Sequence, residues 1–194
     1  IPHVRQYNED RDVTAWFLVD LSPSVGFGSN VSKTDVAVQF TGVVARLLTR
    51  RGNRVGAVLY GHEVDTVVPA GSGRQQVLQI MHRMMHRPPA KPMPGGTRLD
   101  ELLRHALNTI KRRSIVFVVS DFIAAPGWDA PLGQLASRHD VIAVRLYDPL
   151  EMDLPDLGLI VMQDAETGEQ VVVDTQARGF RHRFATAARR REAE

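Results

Sequence analysis

Val13-Thr14-Ala15-Trp16-Phe17-Leu18-Val19-Asp20-Leu21-Ser22-Pro23-Ser24 is the stretch that decides the fold. Its first seven residues form an apolar run, β-branched and aromatic, without the polar alternation of a strand that faces water. Such a run reads as a strand buried on both faces, as in a parallel sheet. It stops at an acid, Asp20, and two hydroxyls follow in the next loop, Ser22 and Ser24.

Working outward, the same pattern recurs at residues 55–60, 115–119 and 141–146. Between these runs the periodicity turns helical. Ser32 offers an N-cap and Asp35 a capping-box acid, apolar residues follow from Val36 to Leu48, and Gly52 supplies the stop. Residues 63–68 alternate and predict an edge strand paired antiparallel, after a turn at Gly61-His62. A helix is expected over residues 75–86, then a loop over 87–96 with four prolines and two glycines. Thr97 opens a helix with Leu99, Leu102, Leu103, Ala106, Leu107 and Ile110 on one face, and a short helix covers 132–137. Strands at 159–162 and 170–173, joined by a turn at Glu166-Thr167-Gly168-Glu169, precede a basic helix.

Strands alternating with helices predict an α/β domain: a mostly parallel central sheet with one antiparallel edge strand and helices on both faces. No repeat or low-complexity linker divides it, so residues 1–194 read as one domain. Residues from about 150 to 194 are expected to extend the same sheet and add the basic helix.

Composition narrows the function. The 194 residues are 43% hydrophobic and 24% charged, an ordinary globular mixture that needs no staples to fold. There is no cysteine, which excludes disulfides and thiolate metal sites. The net charge is +2, only 6% of residues are aromatic, and the arginines are spread through every segment. Nucleic-acid binding, which needs basic residues on one face interleaved with stacking aromatics, is therefore not expected. No run approaches the ~20 apolar residues of a membrane span, and Ile1-Pro2-His3 is no signal peptide. A cytoplasmic location is expected, with any membrane tether lying upstream of Ile1.

Two apolar strands end in an acid, at Asp20 and at Ser120-Asp121. In open α/β sheets ligands bind beyond the carboxyl ends of the strands, where strand order reverses. If the two strands are neighbours, Asp20 and Asp121 reach one crevice with Ser22, Ser24 and Thr97. Two carboxylates and three hydroxyls suit a hard cation such as Mg²⁺, or Mn²⁺ or Ca²⁺, that keeps an open position for a partner's acid.

This set resembles the metal-ion-dependent adhesion site of von Willebrand factor A domains. The wider text is similar to the DUF58 family, through residues 11–29, Arg51-Gly52-Asn53-Arg54-Val55-Gly56, Gly95-Gly96-Thr97-Arg98-Leu99, Val119-Ser120-Asp121-Phe122 and Leu154-Pro155-Asp156-Leu157-Gly158. The resemblance implies a Rossmann-like von Willebrand factor A fold. It also implies a metal held by Asp20, Ser22, Ser24, Thr97 and Asp121, and a partnership with a MoxR-type AAA+ ATPase. Pro23 departs from the small residue such loops often carry.

The function expected is a non-enzymatic, divalent-metal-dependent protein-binding module, an adaptor or assembly factor. A phosphatase-type hydrolase is the alternative, since that chemistry also places an Asp after the first strand. It needs a second Asp two residues on and a lysine for the phosphoryl group. Ser22 stands at the first of these positions, and of Lys33, Lys91 and Lys111 none is expected at a strand end. A structural domain with a vestigial site is a further alternative.

Other features read as structural. Gly26-Phe27-Gly28 lacks the third glycine of a dinucleotide loop. His82 and His86, flanked by Arg83 and Arg87, read as a solvated basic face. Met81, Met84 and Met85 are expected to fill core gaps. The arginines from Arg178 to Arg191 read as an exposed helix, with docking onto an acidic partner as its functional alternative.

Overall fold

A five-stranded sheet in the order β3-β2-β1-β4-β5 organises the computed structural model, which describes residues 13–88, 96–164 and 168–193. Its strands are β1 (Thr14–Asp20), β2 (Arg54–Tyr60), β3 (Val64–Gly71), β4 (Ile115–Ser120) and β5 (Asp140–Arg145). β1 runs parallel to β2 and β4 on either side, and β4 runs parallel to β5. β3 closes one edge antiparallel to β2, as the alternation of its residues predicts.

Strand pleating sends successive side chains to opposite faces, and each face has its own helices. Ala15, Phe17 and Val19 of β1 pack with Val55, Ala57 and Leu59 of β2 and with Phe117 and Val119 of β4. That face is covered by α1 (Lys33–Arg50), through Ala37, Val38 and Ala45, and by α2 (Gly73–Met85), through Val77, Ile80 and Met84. Phe17 and Phe117 stack with ring centroids 5.0 Å apart, an arrangement worth about 1 kcal/mol beyond the area it buries. On the opposite face Trp16, Leu18, Val58, Tyr60, Val116 and Val118 meet α3 (Leu99–Thr109) and α4 (Asp129–Arg138). Burial on both faces is why β1 reads as an unbroken apolar run.

The termini of α1 follow the sequence. Ser32 Oγ accepts from the Asp35 amide at 3.1 Å and donates to the Asp35 carboxylate at 2.8 Å. Gly52 takes φ +84° just past the C-cap, a conformation glycine adopts without the Cβ penalty. α3 departs from expectation, because it starts at Leu99 with Arg98 rather than Thr97 at the N-cap. Thr97 therefore lies ahead of the helix. Of the three methionines, Met84 is buried and Met81 packs against the core, but Met85 is exposed rather than filling a gap.

The C-terminal expectation needs correction. β6 (Leu159–Gln163) and β7 (Gln170–Asp174) form an antiparallel two-stranded sheet of their own and do not extend the central one. After β5 the chain turns back across the carboxyl ends in a 3-10 turn, Pro149–Glu151, held by an Asp148 capping box. It thus leaves the line of β5 before β6 begins. Thr175 then closes the hairpin on itself, since its Oγ accepts from the Leu157 amide at 2.8 Å and donates to the Gly158 carbonyl at 2.7 Å. α5 (Arg178–Ala193) follows as the expected basic helix. Of the turn expected at 166–169, Glu166 and Thr167 lie outside the described residues, as do residues 89–95 of the proline-rich loop. Among the described residues no helix is long and apolar enough to cross a membrane.

Candidate functional site

β1 and β4 are the neighbours the site requires, and they lie where the strand order reverses. Asp20, the last residue of β1, is fully buried. Its Oδ1 accepts from the Ser22 amide at 2.9 Å and its Oδ2 from Ser120 Oγ at 2.7 Å. Pro23 begins a 3-10 turn, Pro23–Gly26. Its ring sets φ near the helical value and gives up an N–H that would have no partner there, so the departure at Pro23 suits the loop. The turn puts Ser22 Oγ 3.2 Å from Ser24 Oγ, both buried.

Asp121 follows β4, and its Oδ1 accepts from the Ile123 amide at 3.0 Å. Between them Phe122 has φ +59°, a left-handed conformation that costs a non-glycine residue about 1 kcal/mol or more. Ser120 Oγ accepts from the Phe122 amide at 3.0 Å, and the Phe122 ring lies 5.5 Å from that of Trp128. Both contacts hold the turn that aims Asp121. Thr97 is also buried, and its carbonyl accepts from the Ala125 amide at 2.8 Å. Tyr60 Oη accepts from the Arg98 amide at 3.1 Å. These bonds bring Thr97 to the same sheet edge. All five predicted residues thus come to one end of the sheet.

Two acids and a lysine there, Glu151, Asp148 and Lys33, escaped the sequence reading of the site. Lys33, the first residue of α1, is buried with its ammonium 2.8 Å from Asp121 Oδ2 and 2.6 Å from Glu151 Oε1. The expectation that no lysine reaches a strand end is therefore wrong. Lys33 does so from a helix N-terminus, by folding its stem back over the edge. Asp148 holds the same segment, because its Oδ2 accepts from both the Ser29 amide at 2.7 Å and Ser29 Oγ at 2.8 Å. In the intervening loop the Lys33 amide donates to the Phe27 carbonyl at 3.0 Å. A Cβ at Gly28 would sit 2.1 Å from the Val31 carbonyl oxygen and 2.6 Å from Ser32 Cα. Because both are backbone atoms that cannot step aside, Gly28→Ala is expected to destabilise the fold by roughly 1–3 kcal/mol in urea unfolding.

Burial, and then the charge of Asp121, push the Asp20 carboxyl up to about 6, against the hydrogen bonds from Ser120 and Ser22. Asp148 moves the other way. Desolvation raises it, but hydrogen bonds from Ser29 and Leu150 and the charge of Lys33 together hold it below the usual carboxylate range.

The donor set fits a hard cation. Each carboxylate oxygen of Asp20 and Asp121 already accepts one hydrogen bond but has a second lone pair to offer, and the Asp20–Asp121 repulsion is what a cation would relieve. Among the described residues no group of three or more His, Asp or Glu side chains is arranged for a metal. An ion here would thus rest on two carboxylates, hydroxyls and water, a set Mg²⁺ accepts. His82 and His86 lie with ring centroids 4.1 Å apart and gain no third imidazole or acid among those residues.

The solved structures similar to this one include an aerotolerance-related membrane protein from Bacteroides fragilis carrying multiple mutations to serine. The TM-score is 0.63 at 15% identity, over 91% of this chain and 88% of that one. BatB from Bacteroides thetaiotaomicron is similar with a TM-score of 0.61 at 16% identity, over 91% and 87%. These likenesses establish a shared fold. Uncharacterized proteins of Mycobacterium bovis and Mycobacterium tuberculosis are each 37% identical over 172 residues, 86% of this chain and 53% of theirs. The chain spans about half the length of these relatives. One from Mycobacterium avium is 38% identical over 129 residues, 63% of this chain and 72% of that protein. Residues 1–194 match the family described as "Protein of unknown function DUF58" from end to end, and the chain belongs to that family.

Proposed function

We propose that this domain is a von Willebrand factor A-like binding module in which Asp20, Ser22, Ser24, Thr97 and Asp121 hold a divalent cation, Mg²⁺ foremost, directly or through water. A carboxylate of a protein partner completes the coordination. The observation that carries the reading is the convergence of Asp20 and Asp121 at the ends of two adjacent parallel strands, with Ser22 and Ser24 3.2 Å apart beside them. Neutral hydroxyls add lone pairs without charge, so the ion keeps enough positive field to attract one more acid.

The module is non-enzymatic in this reading. Lys33 meets one requirement of a phosphatase-type site, but Ser22 still stands where that chemistry needs its general acid. A MoxR-type AAA+ ATPase is the partner that the family resemblance suggests. The buried Lys33–Asp121 bond favours a second reading, a purely structural edge in which the lysine has replaced the metal.

Mg²⁺ titration by calorimetry, paired with capture of a purified MoxR-type ATPase in Mg²⁺ or excess chelator, separates the two. Ser22→Ala is the informative variant, since it removes a ligand and leaves the backbone bond to Asp20. It is expected to weaken Mg²⁺ binding by more than about tenfold and to abolish capture while leaving the circular dichroism spectrum unchanged. Capture that persists in chelator would sink the binding reading. Absence of any Mg²⁺ heat would favour the structural one.

A further inference from the structure

The Lys33 ammonium is an unusual tenant for this edge. It is nearly fully buried, and such a charge is stable only when paired. Both of its partners are carboxylates, and one of them, Asp121, is a candidate metal ligand. The other, Glu151, lies in the turn after β5 and accepts from the Asp148 amide at 3.2 Å through its second oxygen. Asp148 in turn binds Ser29, four residues before Lys33. Lys33 is therefore a cation on a short tether, held at both ends of its segment by the β5 turn.

We propose that Lys33 is the site's built-in counter-cation and that it sets the affinity for divalent ions. With its ammonium on Asp121 and Glu151, the metal-free edge keeps an internal positive charge beside its carboxylates and stays folded. A divalent ion that takes up Asp121 meets that positive charge a few ångströms away, so entry requires the ammonium to shift off Asp121 and lean on Glu151. Lys33 thus acts as a positioning and affinity-setting residue and not as a ligand. The proposal rests on the metal reading above and adds the identity of the group that competes with the metal.

Two experiments on the folded 194-residue chain test it. In the first, Lys33→Met keeps the length of the stem and removes its charge. The variant is expected to bind Mn²⁺ at least about tenfold more tightly than the parent in calorimetry, and to melt at a lower temperature in chelator. Equal or weaker binding by a variant with native circular dichroism overturns the proposal and leaves the metal reading standing. No binding by either chain overturns both. Binding by the variant alone supports the proposal in its strongest form.

The second needs no substitution, so a variant that fails to fold does not block the test. The chain has three lysines, Lys33, Lys91 and Lys111. In ¹⁵N-lysine-labelled protein, the buried Lys33 ammonium is expected to give a solvent-protected signal in chelator that shifts or is lost as Mg²⁺ saturates. A Lys33 signal unmoved at Mg²⁺ concentrations that raise the melting temperature overturns the proposal.

Discussion

Asp121→Ala is expected to destabilise the protein by about 3 kcal/mol, toward the low end of what breaking a buried ion pair costs. The Lys33 ammonium would lose the nearly fully buried carboxylate at 2.8 Å. It would keep only Glu151, which is partly open to solvent. The Ile123 amide would also lose its acceptor, just after a residue with φ +59°. One effect opposes these losses: without Asp121 the repulsion on Asp20 disappears. That relief, with the surviving Glu151 contact, is why the low end is expected. Urea unfolding at pH 7 in chelator measures the difference. A change under about 1 kcal/mol would mean that the pair is a loose surface contact. Lys33→Met removes the cation instead and leaves Asp121 a buried carboxylate with the Ile123 amide as its remaining hydrogen-bond donor, so in chelator it too is expected to lower stability.

The second large effect runs in the opposite direction. The Asp20 carboxyl titrates near 6 in the folded protein, through burial first and the Asp121 charge second, against an ordinary value of 3.8. Between those pH values the folded state holds a proton that the unfolded state has released. Stability in chelator therefore falls as pH rises from about 4 to about 6 and is flat above, a loss of roughly 2–3 kcal/mol from this group. Asp20→Asn removes that slope. Its amide oxygen can still accept from the Ser22 amide, and its NH₂ can donate to Ser120 Oγ, where the carboxylate accepted. At pH 7.5 in chelator the variant is expected to be about 2 kcal/mol more stable than the parent. With saturating Mg²⁺ the order should reverse, because only the parent gains from the ion. A variant less stable than the parent in chelator would show that Asp20 is not held against its own ionisation. Such an exchange of stability for a charged site is common where function needs buried charge.

The layered architecture and one half of the site are legible in local patterns along the chain. An apolar run such as residues 15–19 needs cover on both faces, and a single chain alternating such runs with amphipathic helices has few ways to supply it. The antiparallel edge of β3 and the caps at Ser32 and Gly52 follow from local physics of the same kind. Asp20 and Asp121 were legible because each ends a buried strand, where an ionisable residue has no role in packing.

Tertiary structure alone decided the other half. Lys33 sits one residue after a helix cap, where a solvated lysine is the ordinary outcome. Its burial depends on Glu151, 118 residues away, and on a turn after β5 that no periodicity announces. The separate β6–β7 hairpin has the same cause, since that turn leads the chain off the sheet edge. Long-range charge pairing leaves no local pattern in a sequence, because its partners are chosen by the fold and not by their neighbours along the chain. The lysine beside Asp121 is the clearest case.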